Sequence, residues 1–302
     1  MRKSISDYIR VRCARLTTTL WHFQRISRME NKYKIVLAIL ITISISLWPI
    51  ELFAEKKNPY GVFIGMSPDG IERLFQYDEV IIDAAYYTPE NIELLHKNNV
   101  KVYSYLNIGS LEKSRQYYSE YNSITLSAYE NWPNERWIDV SKQKWHDFIV
   151  YDVAESLSEK GIDGFFLDNL SVYDKYPQFD IFEGVYDIVS NLKKEYNKKI
   201  IVNGGYSFII KAISEGIDIR SIINGFNMES VYTNVDFGKG ILTKRSNRDT
   251  IWALRSLNTI RKLVDQIYVI EYLNDAKTES LLNRKLSFIG YKVYISKSIA
   301  LN

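Results

Sequence analysis

The chain is almost empty of the residues that build covalent or metal frameworks. Cys13 is the one cysteine among 302 residues, so no intrachain disulfide, cysteine zinc site or iron–sulfur cluster can form. The histidines are His22, His96 and His146, with no short spacing between any two, and no histidine metal site is expected. No G-x-G-x-x-G phosphate loop follows the first strand-like run, GVFIGMSPDG, which counts against an open dinucleotide-binding sheet. No cofactor is therefore assigned. Basic charge is also scarce where a nucleic acid would need it. Residues 1–34 hold nine Lys and Arg against two acids, while the whole chain is only +3, so the remaining 268 residues are net acidic and nucleic acid is not an expected partner.

What is present is apolar sequence, 46% of the chain, enough for a large buried core. The basic stretch 1–34 leads into the apolar run IVLAILITISISLW (35–48), then Pro49 and, after Ala54, the charged Glu55-Lys56-Lys57. A positive flank, an apolar run and a small residue before polar sequence form the pattern of a signal peptide. The run is short for a membrane span, and an uncleaved anchor with its basic side in the cytoplasm is the rival reading. Met29 opens a more ordinary signal sequence than Met1. The expected organisation is a basic extension (1–34), a signal or anchor segment (35–54) and a folded body (58–302). The expected location is secreted, or anchored to the outer face of the cytoplasmic membrane in a bacterial envelope. The anchor would be the only membrane contact, and the protein is expected to be a monomer.

From residue 60 onward one pattern recurs: a short apolar run, a polar residue at its end, then a helical stretch. The strand candidates are 61–65, 79–84, 101–107, 163–168, 199–203, 225–229, 266–271 and 291–296. They are rich in Val, Ile, Phe and Tyr without strict alternation, as suits parallel strands buried on both faces. Helices are expected at 88–95, 141–160, 182–196, 208–215, 249–264 and 278–288. Thr88 and Pro89 open the first of these, and Gly161 stops the second. Eight such units predict an α/β fold, a (β/α)8 TIM barrel, with a doubly wound open sheet as the alternative. The third unit is stretched. Its insertion contains NWPNERWIDVS (131–141), which reads as a short extra strand leading into the long helix.

In such a barrel the carboxyl ends of the strands converge on one pit. The polar residues at those ends are Asp83, Asn107, Asp168, Asn203, Glu229 and Glu271. Four converging acids without histidine or metal suit glycoside hydrolysis, where one carboxylic acid protonates the leaving oxygen and another attacks or activates water. Tyrosine is abundant, 23 residues, and several lie near these ends, including Tyr105, Tyr117, Tyr173, Tyr206, Tyr232 and Tyr272. A phenol ring can stack on a sugar face while its hydroxyl hydrogen-bonds the rim.

Three segments carry a family likeness: VYSYLNIGSLEKSRQYY (102–118), NWPNERWIDVS (131–141) and KGIDGFFLDNLSVY (160–173). Together they resemble glycoside hydrolase family 114, the endo-α-1,4-polygalactosaminidase family, and the likeness spans roughly 60–300. The family pattern has a glycine-acid turn after the third strand, an E-R-W-x-D segment and a G-x-D-G-x-x-x-D-N strand. The last two stand here as 135–139 and 161–169. After Gly109, where the family usually has Glu, this chain has Ser110, with Glu112 two residues further on. The resemblance implies a (β/α)8 barrel cutting an amino-sugar polymer within the chain, with Asp168 and Glu229 as the catalytic pair. Asp168 would be the nucleophile and Glu229 the general acid/base, with retention of configuration and a raised pKa expected at Glu229. Asp83, Tyr105, Asn107, Arg136, Trp137, Asn169, Tyr173, Asn203, Tyr232 and Glu271 are the expected substrate contacts. Glu271 is also the reserve acid, and Asp163, on the opposite face from Asp168, is expected to hold the strand entrance. The alternative function is a surface barrel that binds glycan without cutting it.

Overall fold

The computed structural model describes residues 57–130, 132–236 and 240–302. The expected basic extension and signal or anchor segment lie outside the described residues. Among the described residues no helix is long and apolar enough to cross a membrane.

All eight expected strands form, and they form one sheet in chain order. They are Gly61–Phe63, Glu79–Ile82, Lys101–Asn107, Gly164–Asp168, Lys199–Asn203, Gly225–Glu229, Gln266–Tyr272 and Lys292–Ser296, each parallel to its neighbours. Beside the first and eighth strands the Gly65 N–H donates to the Leu301 carbonyl at 3.0 Å, so the sheet is a nearly closed (β/α)8 barrel. Helices follow the strands on the outside, the longer ones at Pro89–Lys97, Phe179–Tyr196, Tyr206–Ser214, Asn247–Ile260 and Ala276–Phe288. Their starts follow local chemistry. Thr88 Oγ1 accepts from the Asn91 N–H while Asn91 Oδ1 accepts from the Thr88 N–H, a reciprocal cap that frees Pro89 to occupy the first helical position. The stretch 143–159 is helical throughout, but its middle, Phe148–Val153, widens to π geometry.

Two apolar layers result. The inner one fills the barrel with Tyr60, Val62, Ile81, Tyr103, Phe166, Ile201, Tyr268 and Ile270. The outer one packs Val80, Val102, Phe165, Leu167, Val202, Phe226 and Val269 against the helices. Adjacent residues of one strand alternate between the layers, as the two-residue repeat of a strand requires. Asp163 sits at the strand entrance as expected: its carboxylate accepts from the Val102 N–H at 2.7 Å and meets His96 Nε2 at 2.9 Å.

The insertion after the third strand is more than one extra strand. Ser110–Glu112, Glu135–Ile138 and Thr125–Ala128 form a three-stranded antiparallel sheet, with Glu135–Ile138 in the middle. Trp145, fully buried, donates its indole N–H to the Ile108 carbonyl at 2.8 Å and ties the insertion's exit helix to the end of the third strand.

Candidate active site

The alternation within strands decides which polar residues face the pit. Ile81, Tyr103, Phe166, Ile201, Tyr268 and Ile270 belong to the inner layer, so Asp83, Asn107, Asp168, Asn203 and Tyr272 continue it upward. Glu229 joins them through its partners. Tyr272 donates to its Oε2 at 2.6 Å, and the Asn203 side-chain amide donates to its Oε1 at 2.8 Å. That same amide nitrogen donates to Asp168 Oδ1 at 3.0 Å. One amide thus bridges both acids, so the two bridged oxygens lie within about 6 Å of each other. The chain turns sharply after each acid. Asn169 has φ 64° and Ser230 has φ 57°, left-handed conformations that cost side-chain-bearing residues energy and cluster at functional sites.

Asp168 is densely held. Its Oδ1 also accepts from the Asn169 N–H at 2.9 Å, and the Tyr105 hydroxyl lies 3.3 Å from Oδ2 and 3.1 Å from Glu112 Oε1. Burial pushes the Asp168 carboxyl up to about 7, the nearby Glu229 charge adds to the rise, and the Asn169 and Asn203 donors oppose it. The structure thus raises the carboxyl of Asp168, the residue expected from sequence to be the nucleophile.

The cleft around the pair has a volume of about 820 Å³, and Asp83, Tyr105, Asp168, Asn169, Asn203 and Glu229 line it as expected. Residues not assigned to it from sequence line it too: Glu112, Arg115, Tyr129, Trp132, Glu135 and Tyr272. Arg115 is its central cation, 2.9 Å from Asp83 Oδ2 and 2.7 Å from Glu112 Oε2. Burial raises the Asp83 carboxyl despite that guanidinium.

Six expected contacts lie elsewhere. Asn107 is buried beneath the cleft, donating to Ser110 Oγ and Glu112 Oε1. Arg136 binds Thr125 Oγ1 and the Leu126 carbonyl within the small sheet. Trp137 is buried behind Tyr129, ring centroids 4.1 Å apart, and donates to Glu130. Tyr173 lines a separate hollow of about 400 Å³ with Tyr206 and Ile210, because it stands on a helical turn beyond the strand end. Tyr232 lines a larger, mostly apolar hollow of about 960 Å³ between the hairpin 233–244 and the helix Ala276–Phe288, with Lys285 4.4 Å over its ring. That hollow contains no pair of facing acids. Glu271 is the clearest correction: it points outward. It is fully buried and accepts from the Tyr232 N–H, the Thr233 N–H and the Thr233 hydroxyl at 2.9, 3.0 and 2.6 Å. It anchors the loop after the sixth strand, and the next residue, Tyr272, is the one that reaches the pit. Among the described residues no group of His, Cys, Asp and Glu is placed to hold a metal ion.

The family model for glycoside-hydrolase family GH114 matches residues 71–215, a span that carries the fourth strand and its Asp168. The match bears out the likeness to this family. The chain is a glycoside hydrolase, acting on a carbohydrate substrate. Solved structures give its fold. The hydrolase is similar to the glycoside hydrolase domain of PelA from Pseudomonas aeruginosa, with a TM-score of 0.69 and 18% identity, covering 81% of this chain and 95% of that one. It is also similar to Ega3 from Aspergillus fumigatus, solved in complex with galactosamine, with a TM-score of 0.61 and 17% identity over 82% of this chain and 92% of that one. An α-galactosidase from Thermus thermophilus follows at 0.54 and 10%, over 80% and 58% of the two chains. No curated protein matches the sequence.

Proposed function

We propose that the hydrolase cuts an α-1,4-linked galactosamine-type polysaccharide within the chain, using Asp168 and Glu229 in a retaining mechanism. The observation that carries this reading is the single Asn203 amide bridging both carboxylates. Retaining glycosidases hold their two carboxyl groups about 5 to 5.5 Å apart, whereas inverting ones need about 6.5 to 9.5 Å to admit a water between acid and sugar. A bridge of two hydrogen bonds through one nitrogen suits the shorter span. Glu229 protonates the glycosidic oxygen as the bond to the anomeric carbon breaks. Asp168 attacks that carbon from the opposite face and forms a glycosyl-enzyme ester. Glu229 then takes a proton from water, which displaces Asp168 and restores both acids. Asn203, Tyr105 and the Asn169 N–H hold the nucleophile in line.

The charge of the cleft supports an amino sugar. Among the described residues Asp83, Glu112, Glu135, Asp168 and Glu229 line it together with Arg115 as the one lysine or arginine, an excess of negative charge that attracts a polymer bearing ammonium groups. The galactosamine bound in the Ega3 structure points the same way.

The test is hydrolysis of galactosamine oligomers followed by proton NMR. The first product expected is the α-anomer, released as shorter oligomers; a β-anomer appearing first overturns the assigned pair. The pH profile gives a second reading. The productive pair carries one proton, and Asp168 releases its proton only near pH 7. Activity requires that one proton to remain on the pair, so kcat/KM should fall as pH rises above about 7, and fall again in acid once both carboxyls are protonated. A profile still rising at pH 9 contradicts this.

We further propose that residues 35–54 export the barrel, as a cleaved signal or as an anchor. In fractionated cells the protein should be found in the membrane or culture fluid, and a wholly cytosolic protein would count against export.

A further inference from the structure

Of the five carboxylates that line the cleft, four have a partner or a task. Asp83 and Glu112 share the Arg115 guanidinium, and Asp168 and Glu229 form the reacting pair. Glu135 remains. Among the described residues it makes no direct ion pair, feeling Arg115 only at a distance, and it is half-buried in the cleft wall, its N–H bonded to the carbonyl of Trp132, which lines the same wall.

Its orientation is fixed by Ser110. The Ser110 hydroxyl accepts from Asn107 Nδ2 at 2.8 Å and from Asn169 Nδ2 at 3.0 Å. A hydroxyl has two acceptor sites and one proton. With both acceptor sites filled, the proton is directed at Glu135 Oε2, 2.6 Å away. The serine therefore positions a carboxylate supplied from the neighbouring strand, and it does so through Asn169, the residue that turns the chain after Asp168. The arrangement has a cost. Glu135 stands directly opposite Glu112 in the antiparallel pair, and like charges in that relation destabilise a sheet. Arg115 pairs directly with Glu112 and only attracts Glu135 from a distance; burial and the Glu112 charge push the Glu135 carboxyl up, opposed in part by the Ser110 and Asn107 hydrogen bonds and by Arg115. A cation arriving from the cleft would relieve both strains.

We infer that Glu135, aimed by Ser110, is the residue that takes the C2 ammonium of a 2-amino-2-deoxy sugar. This rests on the amino-sugar reading above. Glu135 selects the free amine over its N-acetyl form, because an acetamide carries no charge for it to pair with. Ser110 is a positioning residue.

The experiment compares wild type, Glu135→Gln, Ser110→Ala and the double variant Ser110→Glu/Glu135→Gln on galactosamine and N-acetylgalactosamine oligomers. For Glu135→Gln the KM for the free-amine oligomer should rise at least tenfold, kcat should change less than threefold, and the preference over the N-acetyl oligomer should shrink by the same factor. Ser110→Ala should move in the same direction by less. The double variant moves the carboxylate to position 110, on the neighbouring strand, and should recover most of the preference, a result that a merely structural role for Glu135 would not give. An unchanged preference in folded Glu135→Gln overturns the inference. If Glu135→Gln does not fold, a reduced preference in Ser110→Ala decides in favour and an unchanged one against. NMR titration with free galactosamine and N-acetylgalactosamine separates this from the function. A wild type that cleaves neither polymer, yet binds the free amine better only while Glu135 is present, refutes the proposed hydrolysis and sustains the inference.

Discussion

Asp168→Asn should lower kcat by at least a thousandfold and, at the same time, make the protein more stable above pH 7. The rate loss follows from removing the attacking oxygen while leaving its surroundings in place. The asparagine carbonyl can still accept from the Asn169 N–H and the Asn203 amide, which now meet at Oδ1, and its own amide can donate to the Tyr105 oxygen. The stability gain follows from the pKa. An aspartate that titrates near 3.9 in the unfolded chain and at about 7 in the folded one binds its proton more tightly when folded. Between those values stability falls as pH rises, and above about 7 the full penalty remains, on the order of a few kcal/mol. An amide has no such penalty. The advantage of the variant in thermal midpoint should therefore be absent near pH 3, grow through pH 4 to 7, and stay level above. Glu229→Gln should show a comparable rate loss, and the rate on an activated aryl glycoside, whose leaving group needs no proton, should suffer less than the rate on the natural linkage. Circular dichroism and thermal melts across pH, beside the kinetics, check both variants. Full activity in either one removes it from the catalytic pair.

Gly109→Ala should damage both folding and catalysis. A methyl group at this position would stand 1.9 Å from the Asn169 carbonyl oxygen and 2.8 Å from its carbonyl carbon. Those are backbone atoms, and neither can swing aside like the end of a long side chain. The Ile108 N–H already donates to the Asp168 carbonyl, and the Gly109 carbonyl accepts from the Ile138 N–H. The glycine is thus where the ends of the third and fourth strands and the inserted sheet meet. Relief requires moving Asn169, which carries the left-handed turn after Asp168 and one of the two amides on Ser110. The expected cost is about 3 kcal/mol or more in urea denaturation, with a loss in kcat of at least a hundredfold from the displaced nucleophile. Gly70→Ala is the control. Its added methyl group would meet the nearest atom at 3.6 Å, an ordinary contact, and both stability and rate should stay close to wild type. Equal behaviour of the two variants would show that the close approach at Gly109 does not hold the site.

The sequence alone determined the strands. Eight apolar runs ending in polar residues are a local signal, and each became a barrel strand at nearly its expected position, with Asp168, Asn203 and Glu229 at the carboxyl ends as foreseen. The G-x-D-G-x-x-x-D-N and E-R-W-x-D segments carried the family for the same reason, since both are contiguous. The direction in which a strand's side chains point is different. A parallel strand covered by helices outside and packed side chains inside is apolar on both faces, so its sequence does not reveal which parity faces the pit. That is why Glu271 looked like a fourth acid, whereas tertiary packing turned it outward and gave its place to Tyr272. Tyr173 and Tyr232 failed for a related reason: they lie beyond the strand ends, where the chain has already turned to face other hollows. The partnership of Arg115 with Asp83 and Glu112, and of Ser110 with Glu135, joins residues 32 and 25 positions apart in its longest links. No periodicity or spacing marks such pairs, because they arise only when the inserted sheet folds over the end of the third strand. The raised pKa of Asp168 was likewise decided by the tertiary structure, since its burial depends on every element around it.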